Sequence, residues 1–104
     1  MEEHKDLNPE EFGKSMRAHP NAVLLDVRTP EEFESGHLPG ALNIDIRGYD
    51  FHEQIENLDP AKAYFVYCRS GGRSSAACRF MTSKGFQECY NLEGGILAWE
   101  GEVE

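Results

Sequence analysis

The segment from Ala63 to Ser74 constrains the fold of this chain more than any other. Residues 63–67 are all apolar or aromatic, so a strand built from them would be covered on both faces, as buried parallel strands are. A cysteine, two arginines and two glycines follow at once, and helix-like sequence begins at Arg73. We therefore predict a central parallel strand that delivers Cys68 to a tight turn at the start of a helix.

The rest of the chain alternates strand-length apolar runs with helix-start signals. Asn8-Pro9 and Thr29-Pro30 are each followed by two glutamates, which gives an N-cap, a first-position proline and an acidic first turn. This alternation predicts an α/β fold with a mainly parallel sheet and right-handed crossovers. The predicted strands are 22–27, 41–44, 63–68 and 88–92, and the predicted helices are 8–18, 29–36, 49–58, 73–84 and 94–99. A length of 104 residues allows one domain, which we expect to span residues 1–104.

The turn after the central strand is suited to holding a thiolate. Gly71 and Gly72 let the backbone curl, so that successive N–H groups can face one centre. The following helix points its positive N-terminal end at that centre, and Arg69 and Arg73 add full charges. These features lower a cysteine pKa, and the thiolate is the reactive form. The sequence thus predicts Cys68 as a nucleophile, with a buried structural cysteine before an ordinary β–α turn as the alternative.

The distribution of charge points to a small anionic ligand. The net charge of −9 argues against nucleic-acid and anionic-membrane partners. However, no acidic residue lies between Asp59 and Glu88, and that window holds five of the ten basic residues. They are Lys62, Arg69, Arg73, Arg79 and Lys84. This basic segment predicts an anion site at Cys68, unless acids are simply scarce over a buried strand and its helix.

The remaining cysteines and the histidines do not predict a metal or a disulfide framework. The three cysteines, Cys68, Cys78 and Cys89, are ten and eleven residues apart with no Cys-x-x-Cys, and the histidines lack ligand spacing. We expect Cys78 and Cys89 to be buried, although one of them could act as a resolving thiol. Residues 1–6 are polar and acidic, unlike a signal peptide, and no apolar run is long enough to span a membrane. We therefore expect a cytoplasmic protein.

Three sequence blocks together resemble single-domain rhodanese-type sulfurtransferases, the family of thiosulfate sulfurtransferases. Residues 68–74 are similar to the family's active loop, residues 26–33 and 36–43 to its N-terminal signature, and residues 91–99 to its C-terminal signature. The blocks occur in the family's order, within a motif-bearing core of residues 22–100. The resemblance implies a rhodanese-like α/β domain whose five-stranded, mainly parallel sheet is flanked by helices on both faces.

The resemblance also implies a reaction. The Cys68 thiolate would attack the outer sulfur of thiosulfate or another sulfane donor, and a persulfide would form on Cys68. Cyanide or a thiol would then remove that sulfur. The residues implied to bind the anionic donor and the persulfide are Arg69, Ser70, Gly71, Gly72, Arg73 and Ser74. No metal or organic cofactor is needed.

Two other functions remain open. Cysteine phosphatases and arsenate reductases carry Cys-x5-Arg, but here only four residues separate Cys68 from Arg73, and Tyr67 stands where the phosphatase signature has histidine. A ring one residue shorter should be too tight for phosphate, yet can enclose one sulfur. Alternatively, the chain could be a sulfur carrier or interaction module that receives persulfide sulfur from a protein partner through the same cysteine.

The other signature residues are predicted to support the structure. Asp26 and Arg28 follow a buried strand, and we expect them to hydrogen-bond the active loop or to pair with each other. His37 should fix a turn, and Gly94-Gly95 should form a helix-entry turn. Trp99 should be a core or capping aromatic.

Overall fold

The computed structural model describes residues 4–104 as ten alternating strands and helices. Residues 1–3, part of the polar start that we interpreted as unlike a signal peptide, lie outside the described residues. Within residues 4–104, no helix combines the length and apolar character needed to cross a membrane. The elements are β1 (Lys5–Leu7), α1 (Pro9–Ala18), β2 (Val23–Asp26), α2 (Pro30–Glu34), β3 (Leu42–Asn43), α3 (Phe51–Glu56), β4 (Ala63–Tyr67), α4 (Gly72–Ser83), β5 (Glu88–Leu92) and α5 (Gly95–Ala98).

The five strands form one parallel sheet in the order β1-β5-β4-β2-β3. This confirms the predicted α/β class and strand number, and it places β4 at the centre. β2 and β4 are neighbours in the sheet. The connection after β4 leads to β5 on one side, and the connection after β2 leads to β3 on the other side, so the two connections run in opposite directions. Crevices at such switch points, beyond the carboxyl ends of the strands, are where α/β sheets bind ligands.

Helices cover both faces of the sheet, as expected. Along β4, Tyr64, Val66 and Cys68 share one face, where the core also contains Ile55 of α3 and Met81 of α4. The alternate residues of β4 turn to a second cluster that contains Phe12 of α1 and, at its edge, Trp99. This period-2 alternation puts the Cys68 side chain on the α4 side.

The first strand was not predicted from the residues. Residues Lys5–Leu7 are mostly polar and exposed, and they become a strand by pairing with the carboxyl half of β5. A three-residue edge strand needs no apolar run, because its backbone partner rather than its composition defines it. Several predicted elements are shorter in the structure, among them α2 at Pro30–Glu34, β3 at Leu42–Asn43 and α3 at Phe51–Glu56.

Both predicted helix starts are present with complete capping boxes. Asn8 accepts a hydrogen bond from the backbone of Glu11, whose side chain accepts one from the Asn8 backbone in return. Thr29 and Glu32 do the same at the start of α2. Reciprocal caps of this kind satisfy N–H groups that have no partner inside the helix. At α2, the capping glutamate also has a second partner at the site described below.

Candidate active site

Cys68 is enclosed by the loop between β4 and α4. It directly follows the last residue of β4, and only 1% of its surface is exposed. The backbone N–H of Gly71 donates to its Sγ at 3.0 Å, and the Ser74 Oγ lies 3.3 Å from the same sulfur. The loop thus turns hydrogen-bond donors toward one atom, as anion-binding turns do.

These donors shift the ionisation of the thiol. Burial raises the pKa of Cys68, but hydrogen bonds from the Ser74 hydroxyl and from the backbone N–H groups of Ser74, Gly71 and Ser70 outweigh it, so the pKa is lowered overall. The direction agrees with our prediction, and the main causes that lower the pKa are the predicted backbone N–H groups together with the Ser74 hydroxyl, ahead of the two arginines. By contrast, burial raises the pKa of Cys89 to about 12 and raises that of Cys78 as well.

Two glycines with positive φ make the loop possible. Gly71 has φ 110° at the N-cap of α4, a conformation that strains other residues. At Gly95, with φ 63°, a Cβ would lie 2.3 Å from the carbonyl oxygen of Arg69. The close approach lets the N–H of Ile96 donate to the Cys68 carbonyl at 2.9 Å and that of Leu97 to the Arg69 carbonyl at 3.2 Å. The Gly94-Gly95 turn therefore opens a helix, as predicted, and also holds the active loop.

Arg73 does not stand free at the loop. Its two terminal nitrogens donate to the two carboxylate oxygens of Glu32 at 2.8 and 2.9 Å. This hydrogen bonding is the main reason that the pKa of Glu32 is lowered to about 2 and that the pKa of Arg73 is raised. The Cys68 charge also contributes to the raised pKa of Arg73. Arg73 therefore ties the start of α4 to the start of α2 while its charge acts on the sulfur.

The five basic residues between Asp59 and Glu88 do not form one patch. Arg69 is exposed beside Cys68 and makes no ion pair within residues 4–104. Lys62 precedes β4, at the opposite end of the strand from Cys68. Lys84 pairs with Glu56 at 3.7 Å, and Arg79 donates to Ser75 at 3.1 Å. Only Arg69 and Arg73 of this set belong to the loop.

Ser70 and Gly72 lie on the outer side of the loop. Both are exposed. The Ser70 backbone N–H contributes to the lowered pKa of Cys68, and Gly72 begins α4 with open space where a Cβ would stand. Gly72 is therefore less constrained than Gly71.

Asp26 and Arg28 pair with each other beside the active loop. Both are buried, and the guanidinium donates to the carboxylate at 2.7 Å through Nη2 and at 3.0 and 3.1 Å through Nε. Nη2 also donates to the carbonyl of Gly36 at 2.7 Å. Burial lowers the pKa of Arg28, but the hydrogen bond and charge of Asp26 raise it more. Of our two expectations, the structure shows mutual pairing, which anchors the 36–40 turn.

His37 and Trp99 have the structural contacts that we expected. The His37 ring stacks on Phe33 at 3.8 Å between centroids, and its Nδ1 lies 2.9 Å from the Phe33 carbonyl oxygen. These contacts fix the end of α2. The Trp99 ring packs edge-on against Phe12 at 6.2 Å. Trp99 therefore extends the core at the end of α5.

Comparison with known proteins identifies the family. The family model of the rhodanese-like domain matches residues 8–102. The chain belongs to the rhodanese-like domain family. It is 38% identical over 102 residues to the Bacillus subtilis protein named "Putative sulfurtransferase YtwF", covering 98% of this chain and 96% of that protein. It is 33% identical over 99 residues to the thiosulfate sulfurtransferase GlpE of Pseudomonas syringae, covering 95% and 90%.

A solved structure supports the same assignment. A rhodanese-related protein from Thermoplasma volcanium superposes with a TM-score of 0.83 at 30% identity, covering 97% of this chain and 98% of that one. The agreement extends over nearly the whole of both chains. The fold that we inferred from the three sequence blocks is therefore confirmed for this rhodanese-like domain.

Two residues of the site were missed from the sequence. Asn91, near the end of β5, is 4% exposed, and its Oδ1 accepts a hydrogen bond from the Ser74 hydroxyl. Its Nδ2 donates to Asp6 Oδ1 at 3.0 Å. A polar residue in the buried half of β5 is a signal for Asn91, whereas Asp6 lies in the strand that the sequence did not reveal. Together they extend the hydrogen-bonded surroundings of Cys68 across β5 to β1.

Proposed function

We propose that this rhodanese-like domain is a sulfurtransferase in which Cys68 takes up a sulfane sulfur and passes it to a thiol or cyanide. One observation carries the proposal. The sulfur of Cys68 faces the Gly71 N–H at 3.0 Å and the Ser74 hydroxyl at 3.3 Å, donors that favour the thiolate in a buried setting. The sulfurtransferase names of two single-domain relatives support the same class of reaction.

The proposed reaction has two displacement steps at sulfur. The Cys68 thiolate attacks the outer sulfur of thiosulfate, the sulfur–sulfur bond of the donor breaks, and sulfite leaves with the bonding electron pair. The new persulfide carries its negative charge on the outer sulfur. A thiolate or cyanide then attacks that outer sulfur and releases the Cys68 thiolate, giving an acceptor persulfide or thiocyanate. The first step forms a covalent intermediate on Cys68 and the second step breaks it, without a cofactor.

The loop residues would divide the work between binding the donor and stabilising charge. Arg69, exposed and outside any ion pair within residues 4–104, would attract the anionic donor to the rim. Arg73, paired with Glu32, would hold the loop in place, and its positive charge would stabilise negative charge on the sulfur. The backbone N–H groups of residues 70–74 would hold the persulfide charge. This refines our expectation that both arginines contact the donor directly.

The geometry favours sulfur transfer over phosphate chemistry. A cysteine phosphatase uses its loop arginine to hold a tetrahedral phosphate, but here both terminal nitrogens of Arg73 are engaged by Glu32. The Glu32 carboxylate also offsets the positive charge of Arg73, which weakens its attraction for a phosphate dianion. The three cysteines are free thiols, which suits the reducing cytoplasm in which we place the activity. A protein persulfide remains an alternative donor to the same Cys68.

Intact mass spectrometry after incubation with thiosulfate tests the proposal. The wild type should gain one sulfur atom and lose it again on addition of cyanide, with thiocyanate released. Cys68→Ser should gain none, whereas the matched control Cys89→Ala should behave as the wild type. A wild type that gains no sulfur from thiosulfate or from a protein persulfide would contradict the proposal, as would sulfur uptake by folded Cys68→Ser.

A further inference from the structure

The Ser74 hydroxyl has more acceptors within reach than protons to donate. Its Oγ lies 3.3 Å from the Cys68 sulfur, 3.3 Å from the Gly71 carbonyl oxygen, and closer still to Asn91 Oδ1. A hydroxyl carries one proton and can make one strong donation at a time. Cys68 and Asn91 therefore compete for the same donor.

The Asn91 amide can face Ser74 in only one orientation. Its Nδ2 lies 3.0 Å from Asp6 Oδ1 and 3.4 Å from the Gly71 carbonyl oxygen, and both of these atoms are acceptors. Turning the amide over would set its oxygen against two acceptors and leave its N–H groups without them. Asn91 is 4% exposed, so water offers little compensation. Asp6 therefore directs the amide oxygen toward Ser74.

We infer that Asn91, oriented by Asp6, is a positioning residue that competes with Cys68 for the Ser74 hydroxyl proton, which rests on Cys68 being the reacting thiol of the proposed function. In the thiol form, the Cys68 S–H donates to Ser74 Oγ, and the hydroxyl donates to Asn91. When the thiol proton passes to a base in solution, the hydroxyl turns to the sulfur and Asn91 loses its hydrogen bond. Asn91 thus opposes ionisation of Cys68.

The same competition assists the first chemical step. Formation of the persulfide moves the negative charge from the Cys68 sulfur to the outer sulfur. The Ser74 hydroxyl is then released from the inner sulfur and returns to the amide oxygen of Asn91. The hydrogen bond that ionisation removed is therefore restored as the persulfide forms, so Asn91 stabilises the persulfide relative to the thiolate.

Other charged and titratable groups also face the thiol and must be held constant. Arg73 is positively charged but forms an ion pair with Glu32, and the Nε2 atom of His4 lies 3.3 Å from Asp6 Oδ1. Cys78 and Cys89 lie in the same core cluster, with raised pKa values. Substitution of Asn91 keeps these residues but removes the hydrogen bond to Asp6, so the effect that passes through the Ser74 hydroxyl must be separated by a background that lacks it.

The pH dependence of Cys68 alkylation tests the inference, with the modified residue identified by mass spectrometry. Asn91→Leu retains the branching of the side chain and removes the competing acceptor, so the acid dissociation constant of Cys68 should rise about three- to tenfold, the worth of one hydrogen bond. Asn91→Asp offers a stronger acceptor and a negative charge, so the midpoint should move to higher pH. General loosening of the loop would not shift the two variants in opposite directions.

A Ser74→Ala background provides the matched control. There Asn91→Leu should leave the midpoint unchanged, because the proposed effect passes through the hydroxyl. If Asn91→Leu does not fold, Asp6→Asn replaces it. That change frees the amide to turn and should lower the midpoint more when Ser74 is present than in Ser74→Ala.

Three results would overturn the inference. The first is an alkylation midpoint of Cys68 that is unchanged or raised in folded Asn91→Leu, and the second is the same shift of that midpoint with and without Ser74. The third is a shift in the same direction in Asn91→Leu and in Asn91→Asp. The readout is ionisation rather than turnover. Failure of sulfur uptake in the mass experiment would therefore reject the proposed function without moving these midpoints.

Discussion

β2 and β4 are paired strands, so their carboxyl ends and the loops that follow lie side by side at one edge of the sheet. The two regions nevertheless bury polar side chains in different ways. At the end of β2, the Asp26 carboxylate accepts three hydrogen bonds from the Arg28 guanidinium in the loop that follows. After β4, the Cys68 sulfur meets N–H and O–H donors, and among residues 4–104 no charged group lies at bonding distance. In the first region, the negative charge is already paired with a positive charge. In the second, the donors can stabilise a negative charge that appears only when the thiol ionises.

This difference separates a group that maintains the fold from a group that can react. A buried carboxylate needs its cation at all times, because an unpaired buried charge is costly. A thiol can be buried as a neutral group, so donors around it are tolerated in both protonation states. We therefore expect substitutions in the β2 loop to reduce stability, and substitutions in the β4 loop to reduce sulfur transfer.

Arg28→Ala should give the largest loss of stability. It leaves the buried Asp26 carboxylate without its partner, and breaking a buried pair in this way costs about 3–5 kcal/mol of unfolding free energy. Chemical denaturation would measure the loss. A matched control is Arg79→Ala, which removes an exposed arginine and should change stability little. A fully stable Arg28→Ala would show that the pair does not anchor the β2 loop.

Arg73→Ala should impair sulfur transfer more than Arg79→Ala. Arg73 acts on the Cys68 sulfur and holds the loop through Glu32, whereas Arg79 bonds to Ser75 on the exposed face of α4. A charge-assisted interaction of about 1.5–3 kcal/mol corresponds to a loss of about ten- to a hundredfold in kcat/KM. Steady-state kinetics with thiosulfate and cyanide would measure it. Equal losses in the two variants would place the charge effect outside the loop.

Acid should weaken the contact between α2 and α4. The folded-state pKa of Glu32 is lowered from 4.5 to about 2, chiefly by the hydrogen bond from Arg73. A lowered carboxyl pKa contributes stability that is present above about 4.5 and is lost as the pH falls toward 2. Unfolding free energies measured across this window should therefore fall less steeply in Glu32→Gln than in the wild type. Parallel curves would show that the carboxylate is not engaged in solution.

Arg69→Ala should have the smallest effect of these variants, and the effect should depend on salt and on the donor. Because Arg69 is exposed, its attraction for thiosulfate is screened within about 10 Å at 0.1 M ionic strength. The loss of kcat/KM should shrink at high salt and should be smaller with an uncharged sulfane donor. Equal, salt-independent losses with both donors would mean that Arg69 shapes the loop instead.

The sequence predicts the fold where local signals and apolar runs are strong. The capped starts of α1 and α2 and the fully buried β4 appear where expected, because each is determined by short-range chemistry. β1 escapes prediction, because three mostly polar residues become a strand only through their pairing with β5. The composition of residues 5–7 does not indicate which strand they will pair with.

The site follows the same division. The loop residues around Cys68 are contiguous, so their convergence on the sulfur could be anticipated from the glycines and the following helix. The pairing of Arg73 with Glu32, 41 residues apart, could not, and it changes the expected role of that arginine. Asn91 could be noticed as a polar residue in a buried strand, but its contact with Ser74 depends on the packing of α4 against β5.

The alkylation rate of Cys68 as a function of pH tests the central claim most directly, since that claim is that loop hydrogen bonds favour the buried thiolate. The experiment compares the wild type with Ser74→Ala, following modification at Cys68 by mass spectrometry. We predict a wild-type midpoint below about 8.5, the ordinary value for a free cysteine, and a higher midpoint in Ser74→Ala. A wild-type midpoint at or above the ordinary value, or one that Ser74→Ala leaves unchanged, would contradict the account.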